Sequence, residues 1–240
     1  MGQSYLEKLE VNKIYNMDFR EAIEKYELPN INLVATDPPY NIGFKYNEYK
    51  DVMEDDDYIN MLSELQRFPT AIIHYPEEMM KYVVPALGVP DEVCAWCYNL
   101  NLPRQFRLIN FYDVKVDFNK VKQPYKNPND KRVKKLIENG SKGTRLYDWF
   151  SDIQIVKNVS KEKTGHPCPV PVALMERIIL LTTNEGDTVM DPFMGSGTTA
   201  IACMNTNRNY IGFELDKYYY ELSKKRLDAE MAQMRITDFI

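Results

Sequence analysis

At 240 residues, with 44 % apolar and 27 % charged side chains, the chain is long enough for one α/β domain with a small insertion and too short for two full domains. These values exclude a disordered polymer. No run approaches the roughly 18 apolar residues of a membrane span, and Met1-Gly2-Gln3-Ser4-Tyr5-Leu6 has neither a signal-peptide core nor the Ser or Thr that would accompany myristoylation, so a soluble cytoplasmic protein is expected. The net charge of −5 does not advertise a nucleic-acid binder, yet Lys115 to Arg145 holds ten basic residues against three acidic ones, a candidate phosphate-binding patch.

In chain order, Lys13 to Met17 reads as a strand ending at Asp18, and Phe19, Ile23 and Tyr26 share one face of the helix that follows. Asp18 with Glu21 three residues on is a capping box, and an acid at a strand's carboxyl end is also placed to meet a ligand. Ile31 to Thr36 is a strand that runs into Asp37-Pro38-Pro39-Tyr40. Two prolines donate no ladder hydrogen bonds and have φ fixed, so a rigid corner forms there, holding a carboxylate beside a free carbonyl.

Such a corner suits attack by an exocyclic amine. The lone pair of an aromatic NH₂ is delocalised into its ring until both N–H groups are drawn into strong hydrogen bonds. The Asp37 carboxylate and the Pro38 carbonyl could be those acceptors, with Tyr40 offering a face on which the base stacks.

Residues 44–57 are acidic without apolar periodicity and read as an exposed loop. Tyr58, Met61, Leu62 and Leu65 give a helix face, Thr70 to Tyr75 a strand in which His74 has no evident chemistry, and Pro76 opens a further helix. Two strands, Glu92–Tyr98 and Phe111–Phe118, are close enough to pair antiparallel. Cys94-x-x-Cys97 has no second Cys or His pair at finger spacing, so buried thiols and no metal are expected.

From Asn119 to about Asn158 the pattern gives way to Pro, Asn, Lys and Gly with Tyr125, Tyr147, Trp149 and Phe150 interleaved. Lys122, Lys126, Lys131, Arg132, Lys134, Lys135 and Arg145 are the candidate phosphate contacts there, with the aromatics suited to packing on bases or sugars. A proline-stiffened stretch containing His166 and Pro167 leads into a helix over 172–183. A buried strand from Asp187 then ends at Asp191, and Pro192-Phe193-Met194-Gly195-Ser196-Gly197-Thr198 turns into another helix. Gly195 and Gly197 allow positive φ and close backbone approach to a ligand. Seventeen residues past Gly197, the strand from Asn209 ends at Glu214, placed to accept from a ribose diol. The turn lacks the lysine of a phosphate-binding loop and the third glycine of the dinucleotide fingerprint. The tail from Asp216 to about Met234 reads as a terminal helix.

Asp37-Pro-Pro-Tyr40 followed by Asp191-Pro-Phe-x-Gly-x-Gly-Thr-Thr199 resembles the S-adenosylmethionine-dependent DNA amino-methyltransferases, in the permuted order of their β-class, with the catalytic motif ahead of the cofactor loop. The resemblance implies an α/β, Rossmann-like sheet of seven strands, mostly parallel with one antiparallel. It also implies a catalytic half over 1–118, a target-recognition insertion over 119–158 and a cofactor half over 159–240. Carried over by residue, it implies catalysis by Asp37, Pro38, Pro39 and Tyr40. Cofactor contacts would come from Asp191, Phe193, Gly195, Gly197, Thr198 and Glu214, with Asp18 facing the adenine and His166-Pro167 bordering the methionine moiety.

The activity implied is methylation of the N6 amine of an adenine flipped out of double-stranded DNA. N4-cytosine is the alternative, because both amines fit the same corner, and a homodimer is the family's habit. From a different class, the chain could be a catalytically silent DNA-binding subunit. Intact Asp37, Gly195, Gly197 and Glu214 argue against that.

Overall fold

A computed structural model describes residues 6–44, 51–100, 103–156 and 169–237, the side chains of 234–237 excepted. The main sheet has eight strands: β1 Lys13–Tyr15, β2 Leu33–Thr36, β3 Thr70–His74, β4 Glu92–Cys97, β5 Phe106–Tyr112, β6 Trp149–Phe150, β7 Thr188–Asp191 and β8 Asn209–Phe213. Their spatial order is β6-β4-β5-β3-β2-β7-β8-β1. Only β5 runs antiparallel to its neighbours. The expected architecture is therefore present, with one strand more than the expected seven: Trp149–Phe150 adds a two-residue edge parallel to β4.

Every residue of β2, β3 and β7 is buried, as in a parallel sheet covered on both faces. Side chains alternate between the two layers. Leu33, Ala35, Ala71 and Ile73 pack with Leu174, Ile178, Ala200 and Leu227, from helices α5 Val172–Thr182, α6 Thr198–Asn205 and α7 Lys217–Thr237. Val34, Ile72, Met190 and Ile211 pack with Phe19, Leu62, Met79 and Val83 on the opposite face, where α1 Phe19–Lys25, α2 Asp55–Ser63 and α3, residues 76–87, lie. Helix α3 opens with Pro76 at its first position, passes through a widened π turn, Met79–Val83, and closes with Val84–Leu87. Pro85, which has no N–H to donate, stands two residues past the end of the widened turn.

The chain leaves β2 toward β3 on one side and continues from β7 to β8 on the other. A crevice at the carboxyl ends of β2 and β7 is thus a topological switch point, where ligands bind open α/β sheets.

Expectations are corrected in two regions. The antiparallel strand spans Phe106–Tyr112 and not 111–118. It stops because Asp113 takes φ 52 and gives its N–H to the Asp91 carboxylate, and the alternation Val114-Lys-Val-Asp beyond it lies outside the sheet. The region expected to be patternless contains helix α4, Lys131–Glu138, capped by Asp130, whose side chain accepts from the Arg132 and Val133 N–H groups. It also has a short antiparallel pair, Lys122–Gln123 with Thr144–Arg145. Trp149–Phe150 and Ile153, placed in the insertion by sequence, belong physically to the main body: Phe150 is fully buried, and Ile153 accepts the Trp96 indole N–H at 2.7 Å. Among the described residues no helix is long and apolar enough to cross a membrane, and no cluster of His, Cys, Asp and Glu could hold a metal.

Candidate active site

The cleft at the switch point is lined by Asp18, Asp37, Pro39, Phe193, Gly195 and Glu214, with apolar walls from Met17, Met53, Met61 and Val170. It brings together the carboxyl ends of β1, β2, β7 and β8, so residues more than 190 positions apart in the chain, Asp18 and Glu214 among them, share one pocket.

Asp191 organises the glycine turn. Its Oδ1 accepts from Thr36 Oγ1 at 2.7 Å and from Phe193 N at 3.0 Å, and its Oδ2 from Thr199 Oγ1 at 2.5 Å. Burial lifts its carboxyl to about 6 against these donors. With both oxygens engaged inside the protein, Asp191 joins strand, turn and helix while also lining the cleft. Gly195 and Gly197 sit at φ 53 and φ 82, so both need the left-handed region. The Cβ that Gly197 lacks would meet Ser223 of α7 at 3.2 Å, so this glycine also permits helix packing. Arg226, one turn on, donates to Ser196 O at 3.2 Å and Thr198 Oγ1 at 3.1 Å.

Glu214 closes the far side. Its Oε2 accepts from Gly195 N at 2.7 Å and its Oε1 from Asp216 N at 2.8 Å, and burial pushes its carboxyl up to about 7. Phe193 lies edge-on to Phe19, centroids 5.3 Å apart, and both rings line the cleft. Asp18 accepts from Arg20 N at 2.9 Å and pairs with its guanidinium at 2.6 Å. The reciprocal capping box is not formed, because Glu21 turns to Lys25 at 3.0 Å. His166 and Pro167 lie outside the described residues, while Pro169 and Val170 just beyond them line the cleft.

The Asp37-Pro-Pro-Tyr40 corner is closed on itself. The Tyr40 hydroxyl donates to Asp37 Oδ1, and Arg107 Nη1 lies 3.4 Å from Oδ2. The Pro39 carbonyl accepts from Tyr58; among the described residues the Pro38 carbonyl is not engaged in this way. Tyr40 is 7 % exposed, with one face stacked on His74 at 4.0 Å and its edge against Tyr75 at 5.0 Å. The Tyr40 ring is therefore turned inward against His74, and reaching Asp37 Oδ1 requires the Tyr40 hydroxyl to yield.

His74 is more than a strand residue. It is fully buried, burial holds it neutral with a pKa of about 3, and its Nε2 lies 3.2 Å from the Tyr58 hydroxyl. The acidic loop is also corrected at one position: Asp51 is 2 % exposed and accepts from the N–H groups of Asn41, Ile42 and Phe44 at 2.8 to 3.2 Å, bracing the turn after Tyr40. One acid buried among exposed ones leaves no periodic trace, which is why the pattern missed it.

Lys122, Lys126, Lys131, Arg132, Lys134, Lys135 and Arg145 are all exposed, and among the described residues none forms an ion pair. Lys126 lies over the rings of Tyr147 and Trp149 at 5.2 and 6.0 Å, the only one of the seven placed against an aromatic face among the described residues.

The comparisons with known proteins point to the same chemistry. A family model described as DNA methylase matches residues 70–225. The Type II methyltransferase M.HpaI of Haemophilus parainfluenzae is 30 % identical over 237 residues, covering 88 % of this chain and 72 % of that one. The chain belongs to the DNA methylase family. Another relative, the DNA adenine methyltransferase YhdJ of Escherichia coli (strain K12), is 25 % identical over 92 % of this chain and 84 % of its own. Among solved structures, an M1.HpyAVI–SAM complex superposes with a TM-score of 0.61 at 26 % identity, covering 90 % of this chain and 98 % of that one. The cytosine-N4-specific PvuII DNA methyltransferase shares the fold, with a TM-score of 0.63 at 18 % identity over 92 % of this chain and 86 % of that one.

In this methylase, sequence reasoning missed Thr36, His74, Arg107, Ser223 and Arg226. Ser223, Arg226 and Leu227 recur at helical spacing on the tail helix, a signal that could have placed them on its inner face. Arg107 left no trace, because it stands on a strand whose register the pattern misread.

Proposed function

We propose that this methylase transfers a methyl group from S-adenosylmethionine to the N6 amine of an adenine flipped out of double-stranded DNA. The observation that carries the reading is the adjacency of the Asp37-Pro-Pro-Tyr40 corner and the cleft closed by the glycine turn and Glu214. The cleft fits the cofactor in kind. It pairs a half-buried carboxylate at a strand end, suited to ribose hydroxyls, with apolar walls for adenine and a thioether chain. S-adenosylmethionine bound there would supply an electrophilic methyl carbon. Glu214 would accept from the ribose, Asp18 would face the adenine ring, and Phe193 and Thr198 would border the nucleoside.

Asp37 and the Pro38 carbonyl accept the two N–H groups of the target amine, localise its lone pair and stabilise the charge that develops on nitrogen. Tyr40, backed by His74, stacks on the base once its hydroxyl releases Asp37. The excursion over 119–148, between catalytic and cofactor halves, serves as the target-recognition insertion, its exposed basic side chains meeting phosphates. The enzyme works in the cytoplasm, where the DNA is, and a homodimer would supply a second recognition surface to so short an insertion.

Mass analysis of nucleosides from DNA treated with the purified protein is the test. N6-methyladenine is expected. N4-methylcytosine alone would replace adenine by the other amine that fits the corner, and absence of S-adenosylmethionine binding by calorimetry would favour the silent subunit.

A further inference from the structure

We propose that Arg107 is a positioning residue for Asp37: from the antiparallel strand it supplies the charge that keeps the carboxylate anionic and turned into the corner before a base arrives. The proposal rests on the reading of Asp37 as the amine's acceptor.

The two side chains are 13 % and 17 % exposed, and one guanidinium nitrogen, Nη1, lies 3.4 Å from Oδ2. A single contact of that length is an electrostatic tether and not a bidentate fork. The guanidinium carbon lies 5.4 Å from the Tyr40 centroid, 5.0 Å from Tyr75 and 5.4 Å from Trp96, so three rings from three segments hold it. Its Nε is buried without a hydrogen-bond partner among the described residues. A desolvated cation with an orphaned donor is a costly way to fill space that an apolar side chain would fill better. Its charge, then, is the reason to look for a role.

The groups around Asp37 show what that charge does. Tyr40 donates from the corner itself. Strand β3 and its end contribute His74 and Tyr75, the segment after β4 contributes Tyr98, and β7 contributes a second acid, Asp191, whose carboxyl Asp37 helps to raise. His74 is neutral, held there by burial and by the Arg107 charge. Arg20, across the cleft, is taken by Asp18. Burial drives the Asp37 carboxyl upward, and Arg107, followed by the Tyr40 hydroxyl, opposes it. The chemistry needs the anion. A protonated Asp37 would offer an O–H to the amine nitrogen and occupy the lone pair that must attack, whereas the carboxylate accepts an N–H and frees it.

The test replaces Arg107 by Met, which keeps length without charge, and by Lys, which keeps charge. The first readout is the ¹³C titration of the Asp37 carboxyl in DNA-free protein, assigned by comparison with Asp37→Asn. In Arg107→Met the midpoint should rise by about one unit or more, the lower end of what removal of an adjacent opposite charge produces, and Arg107→Lys should return it toward wild type. The acid limb of the single-turnover methylation rate should move the same way. An unchanged Asp37 titration in Arg107→Met, with fold and S-adenosylmethionine affinity intact, would overturn the proposal. Should the Met variant not fold, Arg107→Gln provides the neutral comparison under the same criterion. The titration needs no methylation assay, so a wild-type protein that fails to methylate adenine would sink the functional reading while leaving the Arg107 coupling to stand or fall separately.

Discussion

The catalytic corner and the basic excursion hold their cations in opposite ways. Among the described residues the cation paired with Asp37 is the Arg107 guanidinium, 13 % exposed, tied to the carboxylate and boxed by rings. Across 122–145 eight basic side chains stand in solvent, with no acid paired to them among the described residues, and helix α4 buries none of its residues. A desolvated charge acts at full strength over a few ångströms and is little screened by salt, whereas exposed charges act collectively and are screened within a Debye length of about 8 to 10 Å. The first arrangement suits control of one functional group. The second suits attraction to a polyanion, where exposed cations displace its counterions. The same division appears in the loops, since the glycine turn is pinned by Asp191, Glu214 and Arg226.

The largest expected effect breaks the corner alone. Asp37→Ala removes an acceptor whose hydrogen bond strengthens as nitrogen becomes cationic, so single-turnover methylation at saturating DNA should fall by about 10²–10³, by analogy with removal of one oxyanion-hole donor. S-adenosylmethionine affinity by calorimetry should change little, because the cofactor turn draws its hydrogen bonds from Asp191 and Glu214.

The complementary change empties the excursion of charge. Replacing Lys131, Arg132, Lys134 and Lys135 together by Ala should weaken DNA binding and flatten its salt dependence by up to about 0.9 log–log units for each phosphate no longer neutralised. Chemistry on bound substrate should survive. Affinity measured over a series of salt concentrations decides it, and an unchanged slope would remove the excursion from the DNA interface.

A smaller effect lies between the two regions, at Glu214. Its carboxyl is lifted from the ordinary 4.5 to about 7, first by burial. With the folded value above the unfolded one, its contribution to stability is fully present below about 4.5 and lost as pH rises through 7. Cofactor binding should run the other way, because the anion accepts from ribose hydroxyls and the protonated acid has one acceptor fewer. Affinity should therefore rise with pH up to about 7, by at most roughly tenfold per unit. In Glu214→Gln calorimetry should show that dependence flattened, leaving the weaker, lower limb of Asp191, whose carboxyl sits at about 6.

How much of this was legible in the sequence differs between the same regions. Strands β2, β7 and β8 were visible because each is a short apolar run ended by an acid, and the acids at 18, 37, 191 and 214 were visible because strand ends are where such residues can face a ligand. What each acid does was less visible. Asp191 holds Thr36 and Thr199, and Asp51 holds three backbone N–H groups, through hydrogen bonds spanning up to 155 residues that no local pattern encodes. Arg107 was hidden by a register error, since misplacing a strand by a few residues erases every statement about which faces its side chains take. In the excursion the basic charge was read correctly and helix α4 was missed, although Asp130 before Val133, Leu136 and Ile137 is a capped amphipathic turn. Proline and glycine on both sides outweighed it.

The smallest expected effect sharpens the comparison from the excursion's side. Leu136 and Ile137 are 47 % and 45 % exposed, so truncating Leu136 to Ala removes little buried surface and should change global stability by less than about 0.5 kcal/mol. Phe150, only 14 residues further on, is fully buried in the main core, and Phe150→Ala should cost about 3–5 kcal/mol. Denaturant unfolding of the two variants measures the contrast directly. Hydrogen exchange adds the second half of the argument: amides of Lys131–Glu138, fixed by an eight-residue helix with no tertiary burial, should exchange through local opening at far lower free energy than those of Thr188–Asp191. If Leu136→Ala destabilises the protein as Phe150→Ala does, the apolar stripe of α4 is packed in solution, and the excursion is held as firmly as the main core.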